Sequence, residues 1–213
     1  ADFLATIIAE VDRLALLVDD LLDLARIESG RIRLSPEPVN PRELLDHVAR
    51  RMGPQTERAG LFVELNAARE IPGVIADRER LDQVLLNLVH NAIKFTPVGG
   101  SITLSAFPAG DSVRFEVRDT GVGVTPDDLP RIFERFYKAD RARHSHGTGL
   151  GLAIAKHIVQ AHDGEIWAEP NPDGGTVVTF TLPIAGPRSI GSSDELEPGG
   201  GELEPGFSGV NTG

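Results

Sequence analysis

Three glycines stand at every second position, at Gly147, Gly149 and Gly151, directly before an apolar helical pattern. Glycines in such a place usually allow the backbone to approach a phosphate group at the N-terminus of a helix. The stretch HSHGTGLGLAIAKHIV contains neither G-x-x-x-x-G-K-[ST] nor G-x-G-x-x-G, so it is not one of the two common phosphate loops. The glycine spacing still predicts a loop that contacts phosphate.

A second group of polar side chains lies on a predicted helix, DQVLLNLVHNAIKFTP, residues 82–97. At about 100° per residue, Asn87, Asn91 and Lys94 lie together along one flank of its apolar stripe. Asparagine is a mediocre helix former, so two asparagines one turn apart are hard to explain by folding alone. An amide oxygen can bind Mg²⁺ together with nucleotide phosphates, and a lysine one turn further can pair with a phosphate oxygen. The alternative is a polar helix edge with incidental amides.

The stretch RDTGVGV, residues 118–124, ends a predicted strand at Asp119 and continues through Gly121 and Gly123. A carboxylate fixed at a strand end can accept a hydrogen bond from an exocyclic amine such as the adenine N6. The two glycines would allow the backbone to close around a base without intruding side chains. A D-x-G turn that binds no ligand is the alternative.

The segment IFERFYKADRARH, residues 132–144, combines aromatic and basic side chains. Its aromatic plug comprises Ile132, Phe133, Phe136 and Tyr137, with Phe115 and Trp167 as expected sheet neighbours, and its basic stretch comprises Lys138, Arg141 and Arg143. Cations gathered beside a glycine loop suit a triphosphate. We therefore predict a mobile lid over a nucleotide, against the alternative of a solvated charged loop.

The elements that must position these residues alternate between residues 31 and 184. The pattern predicts strands over 31–39, 61–67, 73–77, 101–107, 113–119, 164–170 and 175–183, and helices after Asn40, over 78–95 and after the glycine run. Asn40 as cap, Pro41 at the first position and Glu43 form a capping box. Two antiparallel pairs are expected, across the turn 108–111 and around the turn 173–175. The predicted fold is a two-layer α+β sandwich, in which helices cover one face of a mixed sheet.

Both ends of the chain differ from this middle region. Residues 1–30 carry a wide apolar heptad stripe, which favours a bundle or dimerisation helix over a helix that folds back on its own domain. Such a stripe without its partner should cause self-association. Residues 186–213 are rich in glycine and proline, and ELEPG occurs twice there, so we predict a disordered acidic tail. The predicted domains are therefore 1–30, 31–185 and 186–213.

Composition restricts the ligand and the cellular setting. The chain has 213 residues and a formal net charge of -11, and this charge argues against nucleic acid as a partner. It contains no cysteine, which excludes disulfides and thiolate chemistry and fits a reducing cytoplasm. The sequence contains no apolar run of the roughly 20 residues that a membrane span needs.

In chain order, four of these stretches resemble the N, G1, F and G2 boxes of sensor histidine kinases, members of the GHKL superfamily with DNA gyrase, the large heat-shock chaperone and the mismatch-repair ATPases. The matching stretches are NLVHNAIKFTP, DTGVGV, FERFYKAD and GTGLGLAIAKHIV. The resemblance covers about residues 1–184, although Asp163 replaces a glycine that is more common after His162. It implies the Bergerat ATP-binding sandwich, with helices on one face of a mixed, mostly antiparallel sheet.

The resemblance also implies roles for individual residues. Asn91 would bind Mg²⁺, Asn87 and Lys94 would contact the phosphates of ATP, and Asp119 would read the adenine. Lys94 and Lys138 would serve catalysis, with Lys138 at the terminal phosphate. The remaining ATP-binding residues that it implies are Gly121, Gly123, Phe136, Tyr137, Gly147, Thr148, Gly149, Leu150 and Gly151, the last five as a backbone cradle for phosphate.

By the same resemblance, residues 1–35 are the second helix of a dimerisation and phosphotransfer hairpin. The first helix, with a histidine in an H-E-x-x-x-P setting, is absent, and none of the six histidines has those neighbours. We therefore expect a part of a longer kinase, which transfers the γ-phosphoryl of Mg-ATP to a histidine outside this chain. The implied partners are that histidine-bearing helix, the receiver domain of a response regulator and a second copy bound through residues 1–30. The implied location is the cytoplasmic side of a membrane-anchored parent.

Two other interpretations remain open. A GHKL protein-serine kinase of the anti-sigma-factor sort needs no upstream histidine, but the helix 1–30 and the aromatics of the F box argue against it. A nucleotide-binding interaction module that transfers no phosphate would be favoured by a missing metal ligand or a broken glycine loop. The sequence shows neither defect.

Overall fold

A computed structural model describes residues 34–138 and 148–184, together with Val18 and Leu22. The helices are α1 (Pro41–Arg58), α2 (Arg78–Phe95) and α3 (Gly151–Ala161). The strands are β1 (Glu37–Val39), β2 (Phe62–Ala67), β3 (Val74–Ala76), β4 (Ser101–Ala109), β5 (Ser112–Asp119), β6 (Ile166–Pro170) and β7 (Thr176–Pro183). Val18 and Leu22 are helical. The rest of the predicted helix 1–30, the predicted tail 186–213 and residues 139–147 lie outside the described residues.

Five strands form the main sheet, in the order β2-β4-β5-β7-β6. β2 and β4 are parallel, and the other three pairs are antiparallel, so the sheet is mixed and mostly antiparallel as predicted. β1 and β3 form a separate antiparallel pair. Each of the three helices contacts strands of the main sheet. β5 and β7 are adjacent near the centre of the sheet; β5 ends, and β7 begins, at the functional site described below.

The apolar residues of the sheet alternate, and one face packs against the helices. Leu104, Val117 and Phe180 lie on that face and join one core with α2 and α3. The rings of Phe115 and Phe180 stack in this core with 4.7 Å between their centroids. The opposite face carries polar and charged side chains, among them Arg114, Glu116 and Arg118. This is the two-layer α+β arrangement that the alternation predicts.

Side-chain caps fix where α1 and α2 begin. The Asn40 side chain accepts hydrogen bonds from the N–H groups of Arg42 at 3.0 Å and Glu43 at 3.4 Å. Pro41 follows at the first helical position, where a missing N–H costs nothing. Asp77 caps α2 by accepting from the N–H of Arg80 at 3.1 Å. The predicted cap of α1 and the predicted bounds of α2 are both confirmed.

Several strand boundaries differ from the sequence prediction, most of them by one or two residues, and two differences have a structural reason. In the described part of 31–39, only Glu37–Val39 is a strand, and it pairs with β3 rather than with the main sheet. β4 continues through Pro108 to Ala109, so the predicted turn at 108–111 is confined to Gly110 and Asp111. The pairing of β2 with β4 ends at Ala67 and Ala106. Pro108 therefore has a strand neighbour on one side only, and its missing N–H is tolerated there. Among the residues described, no helix is long and apolar enough to cross a membrane.

Candidate nucleotide site

The carboxylate of Asp119 lies at the end of β5, where two backbone amides bind one of its oxygens. Asp119 Oδ1 accepts hydrogen bonds from the N–H of Gly121 at 2.8 Å and from the N–H of Thr176 at 3.2 Å. The residue is 8% exposed, and this burial raises the pKa of its carboxyl although the two amides act in the opposite direction. Because both amides converge on Oδ1, Oδ2 is the oxygen that can accept a hydrogen bond from a ligand.

The turn after Asp119 passes too close to α2 to accommodate a side chain. A Cβ atom on Gly121 would lie 2.4 Å from the carbonyl oxygen of Phe95. The N–H of Val122 donates to that same carbonyl at 3.1 Å. Gly123 has a φ of +69°, and a Cβ there would lie 3.2 Å from the carbonyl oxygen of Gly175. These contacts explain both glycines and join the Asp119 turn (residues 119–123) to the C-terminal end of α2.

Asn87, Asn91 and Lys94 follow one flank of α2 as predicted, but their environments differ. The Asn87 side-chain amide donates to the carbonyl of Gly151 at 3.1 Å and so joins α2 to the start of α3. Asn91 is half-buried, and within the described part of the chain its side chain makes no hydrogen bond. Asn87 therefore has a structural partner, whereas the amide of Asn91 is available to a ligand.

Lys94 lies at the C-terminal end of α2, within electrostatic reach of Lys138. The ammonium of Lys94 lies 4.9 Å from the centroid of the Phe95 ring. Burial, and next the positive charge of Lys138, lower the pKa of Lys94. Two cations that repel each other across a site are stabilised when an anion binds between them. The charge of Lys138 thus acts on Lys94, which is compatible with a shared anion, while Arg141 and Arg143 lie outside the described residues.

α3 begins without a side-chain cap. Leu150 is the cap residue, and its own side chain makes no capping hydrogen bond. Its own N–H donates to the hydroxyl of Thr148 at 3.0 Å. N–H groups at an uncapped helix start, with the positive end of the helix dipole, favour a bound anion. The predicted phosphate cradle is thus consistent with the described part of the loop, 148–151, and its first residue, Gly147, is not described.

The aromatic segment crosses this loop through a backbone contact. The N–H of Phe136 donates to the carbonyl of Gly149 at 3.0 Å. Gly149 has a φ of +77°, and a Cβ on it would lie 2.9 Å from the backbone of Phe136, so a glycine is required. Phe136 itself has a φ of +60°, which is unusual for an aromatic residue. The Tyr137 hydroxyl donates to Asp128, which anchors the segment to the preceding turn.

The predicted aromatic plug was wrong in part. Phe133 is buried, but the side chain of Phe136 is 61% exposed. The two expected sheet neighbours cannot both flank the segment, because Phe115 stacks in the core and Trp167 lies on the opposite face of the sheet near Arg114. The sequence predicts strands that contain Phe115 and Trp167 but not their register, and the register places the two rings on different faces of the sheet.

Sequence reasoning missed the turn between β6 and β7, residues 171–175, as a part of the site. Asn171 donates from its side-chain amide to the carbonyl of Asp119 at 2.8 Å. A Cβ on Gly175 would lie 2.2 Å from that carbonyl. The glycine pair Gly174-Gly175 was recognised as a hairpin turn. Its position against Asp119 depends on the pairing of β5 with β7, which no local motif encodes.

Comparison with known proteins agrees with this geometry. The family model of histidine kinase-, DNA gyrase B-, and HSP90-like ATPases matches residues 76–186. The sensor histidine kinase WalK of Bacillus subtilis is 36% identical over 178 residues, which are 82% of this chain and 29% of WalK. The histidine-protein kinase BaeS of Escherichia coli is 38% identical over 182 residues, 84% of this chain and 39% of BaeS. The chain thus spans less than half the length of these curated relatives.

Solved structures give the same result. ShkA in complex with AMPPNP is 36% identical with a TM-score of 0.78, over 87% of this chain and 39% of ShkA. The catalytic domain of histidine kinase ThkA is 30% identical with a TM-score of 0.65, over 71% of this chain and 97% of that domain. ThkA in complex with the response regulator protein TrrA is 27% identical with a TM-score of 0.68, over 84% of this chain and 49% of the matched chain.

Proposed function

Because this chain belongs to the histidine kinase-, DNA gyrase B-, and HSP90-like ATPases and carries the ATP-binding catalytic domain of a two-component sensor histidine kinase, we propose that it delivers the γ-phosphoryl group of Mg-ATP to a histidine on a dimerisation helix outside this chain. The observation that carries the proposal is the Asp119 carboxylate. It is buried at a strand end, and two amides occupy Oδ1 and leave Oδ2 for a ligand. An acceptor held in this way suits the amino group of adenine.

The phosphates would extend from this base site toward the lysines and the start of α3. Lys94 and Lys138 would supply positive charge, and the first amides of α3, which the Leu150 side chain does not cap, would supply hydrogen-bond donors. A chain with a net charge of -11 must concentrate its cations locally to hold a triphosphate. Such a local concentration on an acidic protein is what the Lys94–Lys138 pair provides.

The donor set is also compatible with Mg²⁺. The amide oxygen of Asn91 is a hard ligand without another partner among the described residues, and Mg²⁺ takes most of its other ligands from water and phosphate. Asn91 would therefore hold the ion. When bound, the ion would neutralise phosphate charge and orient the terminal phosphoryl group. Asn87, whose amide is bound to Gly151, would keep the two helices at a fixed separation around it.

Catalysis by this domain would consist of positioning and charge neutralisation. The bond between the γ-phosphorus and the bridging oxygen breaks, ADP leaves, and a bond forms between that phosphorus and an imidazole nitrogen of the acceptor. Lys94 and Lys138 would stabilise the charge on the phosphate oxygens during this transfer. The nucleophile and the acid beside it would belong to the histidine-bearing helix.

The same proposal names the partners. These are the histidine-bearing helix of the parent, the receiver domain of a response regulator, and a second copy that associates through residues 1–30. The complex of ThkA with TrrA supports the response regulator, since ThkA is similar to this chain. The domain boundaries at residues 30 and 185, and a cytoplasmic location beneath a membrane-anchored parent, are parts of this proposal as well.

A transfer assay tests the proposal. The chain is mixed with γ-³²P-ATP and Mg²⁺, with and without a separate fragment that carries a complete histidine-bearing hairpin. We expect acid-labile label on the added fragment only, and no label when its histidine is replaced by glutamine. The variant Asn91→Ala serves as a negative control, because it should bind ATP and transfer phosphate poorly. Tight ATP binding with no label on any fragment would instead support an interaction module that transfers no phosphate.

A further inference from the structure

The turn between β6 and β7, here the Asn171 turn (residues 171–175), holds Asp119 on two sides. The Asn171 side chain is buried, with the residue 5% exposed, and its Nδ2 donates to the backbone carbonyl of Asp119 at 2.8 Å. Directly after the turn, the N–H of Thr176 donates to the carboxylate of Asp119 at 3.2 Å. The turn and the first residue of β7 therefore bind both the backbone and the side chain of Asp119.

The backbone of the Asn171 turn is itself tightly constrained. Gly174 and Gly175 have φ values of +94° and +91°, in the region that favours glycine. The N–H of Asn171 donates to the carbonyl of Gly175 at 3.1 Å, and the N–H of Gly174 donates to the carbonyl of Asn171 at 2.9 Å. A Cβ on Gly175 would lie 2.5 Å from Asp119 Oδ1. The turn thus leaves Asp119 little room to move on that side.

The Asn171 amide can make its contacts in one orientation only. Its Oδ1 accepts from the guanidinium of Arg118 at 3.1 Å and from the N–H of Asp173 at 3.3 Å. In the flipped amide, the NH₂ group would face these two donors, and the oxygen would face the Asp119 carbonyl. Arg118 also lies 3.8 Å from Glu116 on the sheet face away from the helices. The orientation of Asn171 is therefore set by Arg118 on the far sheet face and by the turn itself.

We propose that Asn171 is a positioning residue for base recognition: it fixes the backbone of Asp119 so that Oδ2 faces the amino group of the purine. The inference rests on the proposed function, since it requires Asp119 to read adenine. The side-chain oxygen and nitrogen of Asn171 both bind protein groups, so Asn171 acts through Asp119. Its contribution is preorganisation, because a carboxylate held in its binding geometry loses less freedom when the base arrives.

Two substitutions separate this role from general stability. Asn171→Ala removes the three hydrogen bonds of the side chain. Asn171→Asp keeps the shape of the side chain and the acceptor for Arg118, replaces the donor toward the carbonyl of Asp119 by an oxygen, and adds a negative charge beside Arg118. Asn66→Ala is the matched control, because Asn66 is exposed on the edge strand β2.

The measurement is the ratio of two dissociation constants, for ATP and for purine riboside triphosphate, which lacks the 6-amino group. Partial unfolding weakens binding of both nucleotides by the same factor, so a purely structural role leaves the ratio unchanged. We expect a preference for ATP in the unsubstituted chain and in Asn66→Ala. In both Asn171 variants we expect the preference to fall by roughly three- to ten-fold, as lost preorganisation predicts.

The variant Asp119→Asn distinguishes the two levels of the inference. If it abolishes the preference for ATP while both Asn171 variants retain the full preference, Asn171 is not a positioning residue and Asp119 still reads the base. If Asp119→Asn itself retains the preference, the assignment of the base reader fails first. Should Asn171→Ala not fold, Asn171→Asp decides the question alone, because it preserves the volume of the side chain.

Discussion

The substitution Asp119→Asn tests the nucleotide site most directly, because it changes one side-chain atom and its protons. In the native chain, the N–H groups of Gly121 and Thr176 bind Oδ1. In the variant, the amide oxygen can take this place and still accept from both. The NH₂ group then occupies the place of Oδ2. A donor would therefore face the amino group of adenine, where the native chain presents an acceptor.

The size of the effect follows from the loss of one hydrogen bond to a charged group. Such a bond contributes about 1.5–3 kcal/mol. This corresponds to a roughly 10- to 150-fold weaker affinity for ATP. GTP carries a carbonyl oxygen at the equivalent position, and the new NH₂ group can donate to it. The preference for ATP over GTP should therefore fall by at least about ten-fold, since ATP loses a bond that GTP does not.

The affinity for ATP should fall in this variant, whereas the stability of the ligand-free fold should not fall. Burial raises the pKa of Asp119 above its ordinary value, so the fold disfavours the ionised form. The stability that the protonated carboxyl contributes is present below the ordinary pKa and is lost as pH rises through the raised pKa. At pH values above the raised pKa, where the native chain carries the buried charge, Asp119→Asn removes that charge, so the variant should be as stable as the native chain or more stable.

Isothermal titration calorimetry with Mg-ATP and Mg-GTP, together with urea unfolding, measures both effects. The reasoning requires a large fall in the ATP to GTP preference without a fall in the urea midpoint. An unchanged preference would refute Asp119 as the base reader. A loss of affinity that parallels a loss of stability would show that the substitution damages the fold.

Three further predictions concern metal, pH and backbone strain. Asn91→Ala should remove most of the Mg²⁺ dependence of ATP binding at unchanged stability, and equal affinity in Mg²⁺ and in EDTA for the native chain would contradict this. His162 is buried, and its Nε2 accepts from the N–H of Asp77 at 3.0 Å, so burial lowers its pKa below the ordinary value. The contribution of neutral His162 to the free energy of unfolding is therefore present above about pH 6.5 and is lost as pH falls through the lowered pKa. Urea unfolding at pH 8 and pH 5 measures this loss, and His162→Gln should remove the part of the difference that is due to His162. Asp163 has a φ of +56°, so Asp163→Gly should raise the free energy of unfolding by about 1 kcal/mol while Asp163→Ala gains nothing.

Features that depend on local chemistry could be predicted from the sequence. Asp77 and the apolar stripe behind it determine the start and the length of α2, and the structure has the predicted bounds. The replacement of a glycine by Asp163 was recognised from the sequence, and its left-handed backbone explains why glycine is favoured there. Such features involve neighbours within a few residues along the chain.

Features that depend on pairing between distant segments could not be predicted in this way. Asn171 contacts Asp119 because β5 and β7 are neighbours in the sheet, and their register places the two turns side by side. The faces of Phe115 and Trp167 likewise follow from register, and a shift by one residue would exchange them. The exposure of Phe136 follows from a backbone conformation that an aromatic residue rarely adopts.

The backbone contact between Phe136 and Gly149 has a consequence for how the sequence between them can vary. The hydrogen bond of 3.0 Å joins the chain just before residue 138 to the chain just after residue 147, so it closes the base of the connecting segment. Once both ends are fixed, a doubling of the length between them costs only about 0.6 kcal/mol of loop-closure entropy. Insertions between these two points should therefore leave the sheet and the base site intact. The length and charge of the segment between residues 138 and 148 could in this way vary independently of the affinity for the base.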